Sequence, residues 1–340
     1  MMVPSHTFSI APMMDYTDRH CRFMFRQITK HSLLYTEMIT APALVHGNSE
    51  KLLEFNQEEH PVALQLGGSK PEELSFATKL GIKFGYDEIN LNMGCPSDRV
   101  SQGCFGAKLM TLPEVSRDCI KAMQDASDGT EITIKCRIAV DDANPYEMLP
   151  ELLNLFSSLE IRRVVIHARK AILQGLSPKE NRTIPPLDYD LVVKCKNWFP
   201  DLTLCINGGI NSIEQSQELL ERGLDGVMVG RSAYHTPLAM LKEVDQRIFL
   251  SPVENDIGLI MDNLIGYVER EIENGVPIRR ITRHMLGLFS GINGARTWRR
   301  RLSSPQYIDN EGIHGLRETL DKLLPQRNKL FMGITYLSDY

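Results

Sequence analysis

The sequence predicts an α/β fold, a (β/α)8 TIM barrel, followed by a small all-α helical domain. Eight short runs rich in β-branched residues recur along the first part of the chain, and their apolar bodies suit strands buried on both faces. The segments between the runs are long enough for the crossover helices that parallel strands require. Eight such units in about 230 residues match the count and the length of this barrel.

Nearly every predicted strand carries a polar or charged residue at or next to its C-terminal end. The predicted strands are Phe8–Pro12, Leu33–Glu37, Val62–Leu66, Glu88–Asn92, Ile132–Arg137, Val164–His167, Leu202–Asn207 and Gly226–Gly230. All strands of a TIM barrel point to one mouth, so we expect the polar ends to form a single ring around an active site.

Capping signals place helices between the strands. Ser69 is expected at the N-cap of a helix that has Pro71 in its first turn. Asn211 opens the segment of the next-to-last barrel helix, and Gly223 closes it. Two connections, 92–113 and 168–191, are longer than minimal loops, and long loops on the active face of a barrel usually carry function.

The composition of the 340-residue chain is that of an ordinary soluble protein, with 42% hydrophobic and 24% charged residues. No apolar run approaches the ~20 residues of a membrane span, and the first residues do not resemble a signal peptide. The seven cysteines form no CxxC pair and no zinc or disulfide pattern, so we expect no metal and a reducing, cytoplasmic location. The net charge of −5 disfavours a general nucleic-acid binder, so such a role requires local positive charge.

The most specific stretch runs from the fourth predicted strand into the loop that follows it. Alternation places Asn90 and Asn92 on the same side of the strand, and Cys95 then begins the loop. Most cysteines are small buried hydrophobes, but a thiol at the mouth with a pKa near ~8.5 can deliver a proton. Cys104, deeper in the same loop, is the competing candidate.

Cations follow the next two predicted strands. Lys135 and Arg137 share one side of the fifth strand, and His167 and Arg169 repeat this pattern on the sixth. A solvated pair is the ordinary interpretation on a surface strand, whereas two cations inside a barrel mouth need an anionic or electron-rich partner.

Glycines follow the last two predicted strands, as Asn207-Gly-Gly209 and as Gly230-Arg231. Loops after strands seven and eight of a barrel often hold a phosphate through backbone N–H groups, and glycine lets the backbone approach closely. The pair of signals predicts a ligand that carries a phosphate group.

Helical periodicity replaces the strand pattern after about residue 250, so we expect a barrel domain over 1–250 and a helical domain over 251–340. Between Asn274 and Ile308 there is no acidic residue, but there are seven arginines, with His284 and Trp298 among them. They are Arg279, Arg280, Arg283, Arg296, Arg299, Arg300 and Arg301. Such a segment in an acidic protein predicts contacts with a nucleic-acid backbone.

Seven motifs in order along the chain resemble those of the tRNA-dihydrouridine synthases. They are Ala11-Pro-Met-Met-Asp15, Gln65-Leu-Gly67, Asn90-Leu-Asn-Met-Gly-Cys-Pro96, Lys135-Cys-Arg137, Ile166-His-Ala-Arg169, Asn207-Gly-Gly209 and Val229-Gly-Arg231. The stretches that begin at Tyr16, Tyr35 and Asn181 are most similar to the A subgroup, which modifies uridines 20 and 20a of the tRNA D-loop. The resemblance covers essentially the whole chain, with one departure at Gly209, where relatives often carry aspartate.

The resemblance implies a tightly bound FMN as the phosphate-bearing ligand. Its phosphate would be held by Asn207, Gly208, Gly209, Gly230 and Arg231. Its ring would be lined by Pro12, Met13 and Met14 and contacted at its edge by Gln65, Lys135 and His167. A lysine there stabilises the anionic reduced flavin.

The resemblance also implies a reaction and a substrate. NADPH reduces the flavin and leaves, after which a uridine of the tRNA D-loop, taken out of its stack, enters the site. Hydride passes from flavin N5 to C6, and Cys95 protonates C5 from the opposite face. The expected tRNA contacts are Asn92, Arg137, Lys179, Arg182, Arg296, Arg299 and Arg300, with no membrane and no obligate protein partner.

Two other interpretations stay open at this point. One is an FMN-dependent oxidoreductase of free pyrimidines, similar to the dihydroorotate dehydrogenases, but a small pyrimidine offers seven arginines nothing to bind. The other is an RNA-binding protein on an inactive barrel, against which the presence of Cys95, Lys135 and His167 argues.

Overall fold

The computed structural model describes residues 3–97, 103–252 and 255–324, and it contains a closed barrel of eight parallel strands. The strands are β1 (Phe8–Ile10), β2 (Leu33–Thr40), β3 (Val62–Gly67), β4 (Glu88–Met93), β5 (Glu131–Arg137), β6 (Arg163–His167), β7 (Thr203–Asn207) and β8 (Gly226–Val229). Each strand pairs with the next, and β8 pairs with β1. The predicted barrel is confirmed, and each predicted strand overlaps one of the eight.

Strand β2 extends beyond the predicted Glu37 to Thr40, and it contains an irregularity. Its register against β3 shifts between Tyr35 and Met38. At this shift the Thr36 hydroxyl accepts a hydrogen bond from the backbone N–H of Gln65, at 3.0 Å. A side chain thus satisfies a β3 donor where the ladder is interrupted.

Helices connect the strands of the barrel. They are Ala41–His46, Ser49–Leu53, Pro71–Phe84, Pro113–Asp125, Pro145–Ser158, Tyr189–Trp198 and Ile213–Glu221. The N-cap predicted at Ser69 is wrong, because Lys70 occupies that position and the Ser69 hydroxyl donates to the Gly103 carbonyl at 3.0 Å. In the Ile213–Glu221 helix, Ser212 is the N-cap and accepts from the Gln215 backbone N–H at 3.1 Å.

The chain forms two compact units, and their boundary differs from the one expected at residue 250. The first unit contains the residues up to Arg19 together with His31–Gly230, and the second contains His20–Lys30 together with the chain from Arg231 onward. The helices of the second unit are Arg19–Ile28, which starts one residue before it, Arg231–His235, Pro237–Leu241, Val244–Arg247, Ile257–Glu273, Ile278–Met285, Ala295–Leu302 and Pro305–Leu323. The second unit is therefore discontinuous in sequence.

Aromatic packing explains why the helix Arg19–Ile28 belongs to the second unit. The ring of Phe23 stacks on that of Tyr267, with centroids 3.9 Å apart and planes 12° apart. His20 Nδ1 lies 2.6 Å from the Tyr267 hydroxyl, and the Thr29 hydroxyl donates to the Asp245 carboxylate at 2.7 Å. This helix therefore buries its apolar side against residues from the C-terminal part of the chain. Among the described residues, no helix has the length and apolar character needed to cross a membrane.

A buried ion pair lies inside the barrel. Arg163 Nη2 is 2.6 Å from Glu88 Oε2 and 2.6 Å from Glu131 Oε2. The hydroxyls of Tyr35 and Thr133 both donate to Glu88 Oε1. Burial and the nearby Glu88 carboxylate raise the pKa of Tyr35 well above its ordinary value. Removal of one partner from such a pair typically costs about 3–5 kcal/mol, because the other charge stays buried.

His6 lies close to the N-terminal ends of β7 and β8. Its carbonyl accepts from the Cys205 thiol at 3.8 Å, and a Cβ on Gly226 would lie only 2.4 Å from the same oxygen. Burial and the positive charge of Arg163 lower the pKa of the His6 imidazole from 6.5 to about 4. The imidazole is therefore neutral in the folded chain at neutral pH.

Acid should destabilise the fold partly through His6. Between pH 6.5 and about 4 the unfolded chain binds a proton at His6 that the folded chain does not, so stability falls as the pH falls. We expect His6→Gln to reduce the stability lost between pH 7.5 and pH 5 by about 1–2 kcal/mol. Urea unfolding of both proteins at the two pH values measures this difference. Equal pH dependence in the two proteins would contradict the assignment.

Candidate active site

Lys135 and Asn207 face each other across the mouth of the barrel. Lys135 Nζ donates to Asn207 Oδ1 at 3.0 Å, and Asn207 Nδ2 donates to the Met228 carbonyl at 2.8 Å. Burial and the charge of Arg137 lower the pKa of Lys135 from 10.5 to about 8. Part of the side chain nevertheless stays exposed, so a charged ammonium group is available to a ligand at neutral pH.

A glycine turn follows β7. Gly208 and Gly209 both have positive φ angles, 112° and 71°. A Cβ on Gly208 would lie 2.4 Å from His167 Cδ2, and one on Gly209 would lie 2.6 Å from Leu187 Cδ1. Both positions therefore require glycine, and the turn brings bare backbone against His167, whose side chain is largely buried.

The other end of the expected phosphate site follows β8. A Cβ on Gly230 would lie 3.5 Å from Met13 Sδ, which is an ordinary contact. Arg231 is the first residue of the helix Arg231–His235 and belongs to the second unit.

Two hydrogen bonds, one of them to β2, hold the segment after β1. The backbone N–H of Met13 donates to the Thr17 hydroxyl at 3.0 Å, and the N–H of Asp15 donates to the Glu37 carboxylate. Pro12 and Met13 are half-buried, whereas the Met14 side chain is 55% exposed. The segment thus presents apolar side chains next to the end of β1.

Asn92 and Gln65 are hydrogen-bonded to each other. Asn92 Nδ2 donates to Gln65 Oε1 at 2.8 Å. Asn92 Oδ1 accepts from the backbone N–H groups of Gly94 at 3.1 Å and Cys95 at 3.0 Å. The oxygen of the Asn92 amide therefore orients the start of the Cys95 loop, a role that the sequence analysis did not anticipate.

Cys95 is half-buried at the start of this loop. Its Sγ lies 3.6 Å from the Ser97 hydroxyl, and its carbonyl accepts from the Ala107 backbone N–H at 3.0 Å. Cys104 is exposed, and the other five cysteines are buried. Burial raises the pKa of four of these five thiols to about 12, namely Cys119, Cys136, Cys195 and Cys205. Cys95 is thus the accessible thiol that directly follows a barrel strand.

Arg137, which the sequence predicts as a tRNA contact, instead makes internal hydrogen bonds. It is only 3% exposed and donates to the carbonyls of Gly94 at 3.1 Å, Lys170 at 3.0 Å and Asn181 at 2.9 Å. Burial lowers its pKa from 12.5 to about 10. Arg137 therefore links the Cys95 loop to the 168–191 connection, and its guanidinium is too deeply buried to contact a phosphate of tRNA.

The remaining expected RNA contacts are exposed. Lys179 and Arg182 lie on the 168–191 connection of the first unit. In the second unit, Arg296, Arg299 and Arg300 lie on the helix Ala295–Leu302 and make no ion pair with any described residue. Other arginines of the basic segment are paired: Arg279 lies 3.0 Å from Asp309, and Arg301 lies 3.6 Å from Glu318.

Trp298 and His284 do not belong to an RNA-binding surface, contrary to expectation. Trp298 is fully buried, donates from Nε1 to the Met285 carbonyl at 2.8 Å and packs edge-to-face on Phe289. His284 is 1% exposed. Both rings complete the core of the second unit, which the spacing of aromatic and basic residues alone did not reveal.

Comparison with known proteins identifies relatives along nearly the full chain. The model of the family "Dihydrouridine synthase (Dus)" matches residues 9–322. The tRNA-dihydrouridine(20/20a) synthase of Salmonella typhi is 52% identical over 327 residues, which are 96% of this chain and 97% of that protein. The synthase of the same name from Escherichia coli strain K12 is 49% identical over 325 residues, 95% of this chain and 93% of that protein.

Solved structures with low sequence identity share the barrel. The old yellow enzyme homologue from Zymomonas mobilis has a TM-score of 0.52 at 12% identity, covering 75% of this chain and 92% of that one. Morphinone reductase has a TM-score of 0.52 at 11% identity, covering 75% and 88%. These similarities support the fold alone. The family match and the full-length relatives together show that the chain belongs to the dihydrouridine synthase family.

Proposed function

We propose that this chain reduces the C5–C6 double bond of uridines 20 and 20a in the tRNA D-loop, using FMN as its resident cofactor and NADPH as the reductant. The observation that carries the proposal is the 48–52% identity to tRNA-dihydrouridine(20/20a) synthases along nearly the whole length of both chains. None of the seven cysteines forms a disulfide, which agrees with the cytoplasm as the location of the protein.

The barrel mouth fits FMN by the chemistry of its groups. Gly208 and Gly209 form a turn with positive φ angles directly after β7, and glycine-rich backbone at this position of a barrel commonly binds phosphate. We assign the phosphate to Asn207, Gly208, Gly209, Gly230 and Arg231. Pro12, Met13 and Met14 supply apolar contacts for the ring, and Gln65, Lys135 and His167 supply polar contacts for its edge.

The chemistry supplied by bound FMN is the transfer of two electrons from NADPH to C6 of the uracil ring, as a hydride. Lys135 contributes a positive charge that compensates negative charge on the reduced ring. Its pKa of about 8 means that this charge is present at neutral pH and is lost as the pH rises above that value. Asn207 holds the ammonium group in place through the 3.0 Å hydrogen bond.

Cys95 supplies the proton that the reduction requires at C5. When the π bond between C5 and C6 breaks, the thiol proton goes to C5, and the resulting thiolate regains a proton from solvent. Asn92 fixes the loop backbone beside this thiol and keeps an amide N–H for the uracil edge. We assign contacts with tRNA phosphates to Lys179 and Arg182 of the first unit and to Arg296, Arg299 and Arg300 of the second.

The activity itself is tested with an unmodified tRNA transcript. We expect the purified chain with FMN and NADPH to form dihydrouridine at positions 20 and 20a, as measured by mass spectrometry of nuclease fragments. A protein that oxidises NADPH with free uracil or orotate, and leaves the transcript unchanged, would instead be a free-pyrimidine oxidoreductase. A protein that binds the transcript without taking up FMN would be a binding module.

Cys95→Ala should separate flavin reduction from uridine reduction. We expect FMN binding and its reduction by NADPH to stay at wild-type levels, while dihydrouridine formation slows by about 10²–10⁴-fold, because the general acid is missing. Cys104→Ala is the matched control on the same connection and should retain activity. Loss of activity in the control, with Cys95→Ala active, would make Cys104 the proton donor.

The unpaired arginines should carry part of the tRNA affinity. We expect replacement of Arg296, Arg299 and Arg300 by glutamine to weaken tRNA binding without changing FMN content. Each lost phosphate contact should lower the slope of log K against log salt by about 0.7–0.9. Fluorescence anisotropy at several salt concentrations measures both effects. The control replaces Arg117, Arg162 and Arg222, which removes the same charge from the first unit; equal losses in both triple variants would refute a specific contact.

A further inference from the structure

One continuous chain of side-chain hydrogen bonds runs through the barrel interior from a buried carboxylate to Cys95. It passes from Glu88 through Thr133, Asn90, Gln65 and Asn92 to the backbone of Gly94 and Cys95. The three links made by amide nitrogens are each 2.8 Å long. Asn90 and Gln65 are almost fully buried, so these links supply the hydrogen-bond partners that buried amides require.

The direction of donation along these hydrogen bonds is fixed at the Glu88 end. Glu88 faces the guanidinium of Arg163, and its carboxylate oxygens accept hydrogen bonds. The Thr133 hydroxyl must therefore donate its single hydrogen to Glu88 Oε1, which leaves its oxygen to accept from Asn90 Nδ2. Asn90 then presents Oδ1 to Gln65, whose Nε2 donates to it.

The direction is fixed independently at the Cys95 end. Backbone N–H groups only donate, so Asn92 Oδ1 has to face Gly94 and Cys95. Asn92 Nδ2 then donates to Gln65 Oε1. Both ends demand the same orientation of the Gln65 amide, so the three amides have one mutually consistent arrangement.

We propose that Thr133 and Asn90 are positioning residues. Because Glu88 only accepts hydrogen bonds, Thr133 and Asn90 set the orientation of the Gln65 amide and, through it, the position of the backbone that carries Cys95. The inference rests on the proposed roles of Cys95 and Gln65. Without the Thr133 hydroxyl, Asn90 Nδ2 loses its acceptor, and only the N–H groups of Gly94 and Cys95 still orient the three amides, so the reversed arrangement becomes more populated. In the reversed arrangement, the Asn92 amide nitrogen faces the N–H groups of Gly94 and Cys95, and the loop loses its anchor.

The test is the reactivity of the Cys95 thiol in the full-length protein without tRNA, as purified and after removal of bound flavin. Thr133→Val removes the hydroxyl at nearly constant volume. We expect alkylation of Cys95 by iodoacetamide, measured residue by residue with mass spectrometry, to accelerate roughly 5-fold, which corresponds to one lost hydrogen bond. Thr133→Ser keeps the hydroxyl and should restore the wild-type rate.

Thr78→Val is the matched control. The Thr78 hydroxyl is buried in the helix Pro71–Phe84 and has no hydrogen-bond partner among the described residues, so its removal leaves the chain of amides intact. The Cys95 rate in this variant should equal that of the wild type. An equal acceleration in Thr78→Val would overturn the proposal, because it would reflect a general loss of stability.

An unchanged Cys95 rate in a folded Thr133→Val protein would also overturn the proposal, with folding followed by circular dichroism. If valine prevents folding, Thr133→Ala removes the same hydroxyl without a branched side chain and is held to the same criterion. The alkylation rate does not depend on uridine reduction. A wild-type protein that fails to modify tRNA therefore contradicts the proposed function and not the positioning role.

Discussion

The Glu88 carboxylate lies inside a closed barrel, and the surrounding strands have to satisfy it. Arg163 from β6, Tyr35 from β2 and Thr133 from β5 all donate to this one group on β4. An unpaired charge in such a place costs several kcal/mol, so these strands are held together by a polar requirement as well as by their ladders. The apolar interior of Ala11, Leu33, Ala63, Val165, Cys205 and Met228 fills the space that remains.

The need for hydrogen-bond partners extends from Glu88 to the mouth of the barrel because side chains alternate along β4. Glu88, Asn90 and Asn92 are two residues apart on β4, so their side chains point to the same side and stand one above another. Thr133 on β5 links Glu88 to Asn90 by hydrogen bonds, and Gln65 on β3 links Asn90 to Asn92. The residues that stabilise the interior are therefore continuous with those that orient the site, and a substitution in the interior acts on both.

Strand positions and the identity of the mouth residues could be predicted because they follow local rules: apolar runs, alternation and glycine turns. Long-range partners could not. Nothing local distinguishes Arg163, which pairs with Glu88 inside the barrel, from the exposed Arg162 beside it. Arg137 and Trp298 were misjudged for the same reason, since burial is decided by segments distant in sequence. The unit that the helix Arg19–Ile28 joins is decided by distant partners such as Tyr267 and Asp245.

That discontinuous second unit imposes an order on biosynthesis. The helix Arg19–Ile28 leaves the ribosome before seven of the barrel strands, whereas Tyr267, on which Phe23 stacks, emerges only after all eight have been made. Throughout that interval the apolar side of the helix lacks its native cover. A chain cut after the last strand would keep this helix between β1 and β2 with Phe23 permanently uncovered. The segment of the eight strands is thus not a self-sufficient module, because the helix between β1 and β2 depends for its cover on a helix that follows β8.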